Sequence, residues 1–537
     1  MRVAPSGTRS SDIAVYIVIA VALLIAISAI LISTRQGIGA SPDSVTYLSS
    51  ARELVGNGRL TAYHGGVPTS FPVGTPFLLV VGSVAGIVNM TDAAIVINLV
   101  STCAAILLTF KLACLCGSSK WLGAISALLL ATTPALPIVS SMLWSEPAFI
   151  AVFMGFLTAA TRVIRRPFAG SMQWIFVALL GGCAFLIRYI GVVALVVFLI
   201  TTIVWVAERQ RQGLPRDLQK PMIGLLILGT VVLSQVAWNI SNDSGPLGSR
   251  TSWGAATPER LASDAAQAAS SFVLYRARDN LLVGAIVLTV FFLLLASATW
   301  LLMTSKFARS ALPTLSAVYL LILATAFSQL STKIDPLNAR LAIPILAPWL
   351  ALVAAGLSVA VHENRGRALA SESSYLGRRR RVLRQSAFLF VGVGFASFLL
   401  YEQSKFVQRA SSDGIGYSNI RANPMSTLIP PDVHLSGGIA STDAARVYWH
   451  TGQAPVYPIP RRVERLSAIT TDDQRARWAA SLEKQIVDGD VRTIVLFNDR
   501  PPAFEIDSFL VDTVQILSVA EDAVSRSYSV QPMNLGR

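Results

Sequence analysis

Four short stretches of this chain place ionisable side chains next to turn residues or apolar runs. The first, Ser41-Pro42-Asp43, opens a long polar loop and leads into a helical pattern over 45–55. The second is Trp144-Ser145-Glu146-Pro147, set between two apolar runs. The third is Arg188-Tyr189, wedged between two closely linked apolar runs, and the fourth is Lys333-Ile-Asp335-Pro-Leu-Asn-Ala-Arg340. A carboxylate can take a proton from an attacking group. A guanidinium or ammonium can steady negative charge as it develops. Each residue also has a plainer use. Asp43 can be an N-cap worth about 1 kcal/mol, and Glu146 a helix-start residue ahead of proline. Arg188 can be an anchor snorkelling to the interface, although a charge inside an apolar hairpin is a functional candidate by default. Lys333, Asp335 and Arg340 can be ion pairs of an exposed loop. Asp43 and Glu146 could share a divalent ion, but a metal site ordinarily needs a denser ligand set, and no metal ligand is assigned. The four cysteines, Cys103, Cys114, Cys116 and Cys183, all fall in apolar segments and read as small core hydrophobes.

The elements that must hold these residues are membrane spans. The chain has 537 residues, of which 53% are hydrophobic and 14% charged, against about a quarter charged in soluble domains. Eleven apolar runs are expected to cross a bilayer: 13–34, 93–117, 120–138, 147–165, 172–189, 190–207, 221–240, 281–303, 311–330, 341–361 and 386–401. The first exceeds the roughly 7–15 residues of a signal h-region and is read as a retained helix. A shorter run, 75–88, reads as interfacial or re-entrant. With the N-terminus inside, the cytoplasmic segments hold 20 basic and 5 acidic residues, the Arg378–Arg381 run among them. The net charge of +14 is therefore a topology signal rather than a nucleic-acid patch.

That count puts all four ionisable stretches on the outer side, together with the tail from 402. The tail is different material. Asp472–Asp488 has helical spacing with acids in its first turn, and Val491–Phe497 and Val524–Val530 read as strands. His434 and His450 lack ligand spacing, and the tail carries no dinucleotide or P-loop motif. The fold class expected is an all-α polytopic membrane domain over 1–401, its first outer loop spanning 35–75, followed by a small extracytoplasmic α/β domain over 402–537. The expected location is a plasma (inner) membrane.

Taken in order, these stretches resemble the GT-C superfamily of integral-membrane glycosyltransferases, near the protein O-mannosyltransferase and lipid A aminoarabinose transferase branch. The matching segments are Asp43-Ser-Val-Thr-Tyr47, Thr69-Ser-Phe-Pro-Val-Gly-Thr-Pro76, and Ala124-Ile-Ser-Ala-Leu-Leu-Leu-Ala-Thr-Thr-Pro134. They continue with Ser145-Glu146-Pro147, the Gly181–Tyr189 segment ending in a basic residue, and Asp335 to Pro348 with its Arg-x-x-x-Pro. In the tail, Ser441-Thr-Asp-Ala-Ala-Arg-Val-Tyr-Trp-His-Thr-Gly452 is similar to the outer domain of bacterial members.

The resemblance implies a polyprenyl-phosphate-linked sugar as donor and an acceptor group of a lipid, glycan or protein on the outer face. It places the catalytic carboxylate on Asp43. Relatives often carry two adjacent acids there, whereas Ser44 follows Asp43, so Glu146 is the candidate for the second catalytic acid. A direct displacement then needs one base for the acceptor proton and a cation for the departing phosphate. Arg188, Lys333 and Arg340 are the candidate cations, and Tyr47, His64, Tyr189 and Asp335 are further candidates for binding substrate. The rival class is a transporter or flippase of an envelope precursor. It calls for mid-membrane charges and inverted repeats, and the sequence shows neither.

Overall fold

In a computed structural model the described residues are 7–84, 89–166, 168–215, 217–248, 257–275, 281–332, 337–371, 375–418, 438–441, 443–452, 456–459, 472–488, 490–497, 514–521 and 525–532. The chain divides into two compact units. One comprises Met1–Arg35, Thr69–Thr75 and Ala94–Ser412; the other comprises Gln36–Pro68, Pro76–Ala93 and Asp413–Arg537.

The first unit is helical. Its long apolar helices are α1 (Gly7–Ser33), α4 (Met90–Leu115), α7 (Glu146–Ile164), α9 (Val193–Arg211), α10 (Gln219–Ser241), α12 (Leu281–Met303), α13 (Ala308–Thr332) and α14 (Ala339–Ser371). Among the described residues, eight helices are long and apolar enough to span a membrane, against the eleven expected.

The expected span 120–138 breaks because of a proline. Helix α5 (Lys120–Thr132) ends at Thr133, whose φ of −62° and ψ of 133° are extended, and Pro134 follows. A residue ahead of proline is pushed out of the helical region. The chain restarts in the short α6 (Ala135–Ser140). The expected span 172–189 is α8 (Ser171–Ile187), 17 residues, which stops where Arg188 adopts φ −149° and ψ 135°. A 3₁₀ turn, Tyr189–Val192, then leads into α9. Gly191 lets that turn press on α8, since a Cβ there would stand 2.5 Å from the Ala184 backbone. The segment 386–401 falls inside α15 (Tyr375–Asp413).

Burial ranks the helices. In α7 and α14, 72% and 78% of the apolar window is covered by protein, against 22% in α10 and 17% in α12. Phe149, Phe153 and Phe156 stack along α7, and Trp174, Phe198 and Trp205 meet edge to face between α8 and α9. The two innermost helices each carry in their first turn one of the ionisable residues singled out above, Glu146 and Arg340.

The second unit is α/β. Helix α2 (Pro42–Asn57) packs its buried face, Val45, Leu48 and Ala51, into this unit. The strands β1 (Gly438–Ser441), β2 (Val456–Pro458), β3 (Val491–Phe497), β4 (Val514–Glu521) and β5 (Ser525–Pro532) form one mixed sheet in the order β2-β1-β3-β5-β4. The β1 strand runs parallel to β2 and β3, and β5 antiparallel to β3 and β4. Alternate side chains serve opposite faces, as the strand period of two requires. Ile439 and Val495 join Ala40, Val45 and Val447 of α16 (Ala444–Thr451). Ala440, Ile494 and Leu496 join Leu482 and Ile486 of α17 (Asp472–Val487). The first-loop edge is tied in by backbone: Ala40 bridges Gly416, and the Tyr417 N–H donates to the Ala40 carbonyl at 3.0 Å. Gly416 (φ +57°) is required there, because a Cβ would collide with that carbonyl oxygen. Helix α3 (Gly74–Val84) is the apolar segment expected at 75–88.

Candidate functional site

The first unit builds an ionic cluster from sequence-distant parts. The proline-broken segment after α5 leaves carbonyls that no helix can satisfy, and buried polar groups of this kind need partners. Asn98 of α4, buried, donates to the Ser140 and Met142 carbonyls at 2.9 and 2.8 Å, and Thr102 bonds the Ser140 hydroxyl at 2.9 Å. This pins the loop that delivers Trp144, Ser145 and Glu146. With Ser145 at the N-cap, Glu146 is the first residue of α7.

Glu146 is fully buried and forms ion pairs with Arg188 and Arg340. Both guanidiniums use the same oxygen, Oε1, through Nη1 of Arg188 and Nε of Arg340. The Arg188 guanidinium also donates to Ser145 Oγ at 3.2 Å. The Arg340 guanidinium lies 4.4 Å over the Trp144 ring, a cation–π contact. The two arginine side chains keep 17% and 15% of their surface exposed, whereas Glu146 keeps none. Two partly exposed guanidiniums thus stand on one buried carboxylate. Such a group can hold an anion bidentately.

Arg340 stands in the first turn of α14, where the Leu341 N–H donates to Asn338 Oδ1 at 3.2 Å. A cation is disfavoured at that helix end, so its partner must come from elsewhere, and Glu146 provides it. The Arg188 backbone is fixed from the next residue. Tyr189 is buried, its phenol hydrogen-bonded to the Thr69 carbonyl (2.9 Å) and to Asn239 Oδ1 (3.1 Å). Gln235 donates to that same Oδ1 at 2.9 Å, and Asn239 donates to the Pro246 carbonyl at 2.9 Å. Tyr189 thus ties the 69–75 strap to α10.

The second unit holds Asp43. It is half-buried and occupies the second position of α2, while Ser41 is the N-cap and its N–H donates to Ser44 Oγ at 3.0 Å. The capping role considered for Asp43 therefore belongs to Ser41. Tyr47 lies 2% exposed in the interior of this unit. His64 is exposed, its ring edge-on to Tyr63 with centroids 5.2 Å apart, and its Nδ1 accepts from the Gly66 N–H at 3.2 Å.

Two residues that sequence reasoning did not select stand with Asp43. Burial, then Asp443, then Asp43 push the Tyr63 phenol up to about 12. Asp443 is buried, accepts from the Tyr417 hydroxyl at 2.8 Å and caps α16 through the Arg446 N–H. Tyr63 also faces Tyr448, with centroids 5.9 Å apart, and Arg52 lies 5.8 Å over the Tyr448 ring. An aspartate just ahead of a helix was the available signal for Asp443.

The backbone was compared with solved structures. It aligns over 97% of this chain and 98% of apo ArnT from Cupriavidus metallidurans, with a TM-score of 0.59 and 13% identity. With the form of that protein bound to undecaprenyl phosphate, it aligns over 96% and 97% at a TM-score of 0.57 and 14% identity. The oligosaccharyltransferase AglB of Archaeoglobus fulgidus, in complex with an inhibitory peptide and a dolichol-phosphate, aligns over 91% of this chain and 70% of its own at 0.53 and 13%. The chain has a GT-C fold. No protein-family model and no curated protein matches the sequence.

Within this GT-C fold, the structure brings Glu146, Arg188 and Arg340 together in the first unit, while Asp43, Tyr47 and His64 belong to the second. Lys333 and Asp335 lie outside the described residues. Among the described residues no group of three or more His, Cys, Asp or Glu is gathered as a metal ion would require.

Proposed function

We propose that the protein is a membrane glycosyltransferase that moves a sugar from a polyprenyl phosphate to an acceptor on the outer face of a plasma membrane. The observation that carries this reading is the Glu146–Arg188–Arg340 cluster, whose two partly exposed guanidiniums suit the phosphate of such a donor. The undecaprenyl phosphate on ArnT and the dolichol-phosphate on AglB, two proteins with this fold, support the same ligand chemistry.

In the reaction, Asp43 takes the proton of the acceptor group as that group attacks the anomeric carbon. The bond from carbon to phosphate oxygen breaks, its electron pair leaves with the phosphate, and the anomeric centre inverts. Arg188 and Arg340 stabilise the charge gathering on the phosphate, an effect worth several kcal/mol when donors are held in place beforehand. Asp43 is half-buried at a helix start, a position open to an acceptor.

The test is mass spectrometry of lipid-linked sugars and envelope glycans in cells with and without the gene. The reading expects one polyprenyl-phosphate sugar to accumulate and one glycan substituent to disappear on deletion; unchanged profiles in both pools would overturn it. The orientation has its own test. A reporter fused after Arg537 is expected to be active only outside the cytoplasm, and cytoplasmic activity would reverse the assignment of sides.

A further inference from the structure

The ionic cluster assigns Glu146 a task different from that of a second catalytic acid. We propose that Glu146 is a positioning residue that sets the two guanidiniums for the phosphate of the donor and exchanges no proton with substrate. This rests on the donor reading above and deepens it.

Three observations carry it. First, the burial is ordered: the carboxylate is fully covered, while the guanidiniums it holds retain 17% and 15% of their surface. A ligand arriving from water meets the cations and not the acid. Second, Oε1 is shared by both arginines, and Oε2 is buried with no hydrogen-bond partner. With Oε1 engaged by two guanidiniums and Oε2 buried away from solvent, neither oxygen is placed to exchange a proton with an arriving ligand. Third, Trp144, Ser145 and Glu146 form one continuous cradle. Trp144 stacks on Arg340, Ser145 bonds Arg188 and Glu146 pairs with both. Asn98 and Thr102 fix the loop that carries all three.

The test uses the full-length protein in nanodiscs and two probes, undecaprenyl phosphate and the uncharged undecaprenol. Glu146→Asp keeps the charge but withdraws the shared oxygen by about one carbon–carbon bond, roughly 1.5 Å, so it cannot keep both pairs. Glu146→Gln keeps the length and removes the charge. Both are expected to weaken undecaprenyl phosphate by about ten- to a hundredfold, the scale known for groups that orient metal ligands from behind. Undecaprenol binding should not change, and the loss in sugar transfer should fall on KM for the donor. If the glutamine variant fails to fold, the aspartate variant carries the test. Wild-type affinity for undecaprenyl phosphate in the aspartate variant would overturn the proposal, whether or not turnover falls. Parallel loss of both probes would also overturn it, by showing damage that is merely structural. If the wild-type protein itself binds undecaprenyl phosphate no better than undecaprenol, the donor reading falls and takes this one with it.

Discussion

Asp43 and Glu146 are both acids in the first turn of a helix, second in α2 and first in α7. The helix dipole favours the two alike, by about 0.3–1 kcal/mol. Everything else about them differs. Glu146 is sealed in the helical unit and committed to two arginines. Asp43 is half-buried in the α/β unit, in the company of Tyr63 and Asp443. Position in a helix therefore says little about what an acid does. The neighbours differ: two arginines hold one carboxylate, and a tyrosine and an aspartate stand near the other.

The largest expected effect tests the second half of that contrast. Asp43→Asn keeps the shape and leaves the Ser41 cap in place. It should lower sugar transfer by about 10²–10⁴-fold, the usual loss when a general base is removed, with an unchanged melting temperature. Activity within a few-fold of wild type would strip Asp43 of the base role.

Next comes the cationic half. Arg188→Lys preserves charge but loses the planar fork. Loss of a charge-assisted hydrogen bond, about 1.5–3 kcal/mol, should raise KM for the donor by roughly tenfold or more while kcat changes less. Unchanged donor kinetics would reduce Arg188 to an anchor.

A smaller effect is expected behind the cluster. Asn98→Ala removes the side-chain donor to the Ser140 carbonyl and leaves the Met142 carbonyl with only the Trp144 N–H, at a cost of about 1–3 kcal/mol readable in thermal unfolding. Because that loop carries the glutamate, donor affinity should fall with it; an unaltered melting curve would show that the loop is held by other means.

The smallest concerns pH. The Tyr63 phenol is held neutral up to about 12, above its ordinary 10.0. A raised folded-state value means that its contribution to stability is complete below pH 10 and is lost as pH rises through about 12. Spectroscopic titration should show one fewer late-ionising tyrosine in Tyr63→Phe than in wild type; an unchanged late step in the variant would reassign it.

What the sequence made legible was local. The Ser-Pro-Asp helix start, the Arg188 break between two apolar runs, the α17 helix and the β3 strand all announce themselves within a few residues of chain. The span 120–138 misled because its apolar content outweighed Pro134, whose effect on Thr133 is steric and invisible to hydropathy. Strands β1 and β2, of four and three residues, are too short to show alternation. The partners of Glu146 were out of reach for another reason. Arg340 is 194 residues away, and no spacing rule joins the two. Tyr63 and Asp443 were hidden by the same kind of distance, since only the closing of the α/β unit brings the first loop to β1, α16 and β2.

That closing has a consequence in time. Ser418 donates to the Ile38 carbonyl at 2.7 Å across 380 residues, alongside the Ala40–Gly416 bridge. At roughly 5–20 residues per second, a ribosome needs on the order of 20–80 s to travel between the two. Throughout that interval the segment bearing Asp43 has been made but lacks its contacts with Gly416 and Ser418. A stalled chain ending near residue 400 should leave residues 36–68 open to protease, and the finished chain should protect them. The order of synthesis thus leaves the first loop to be fastened by chain made much later.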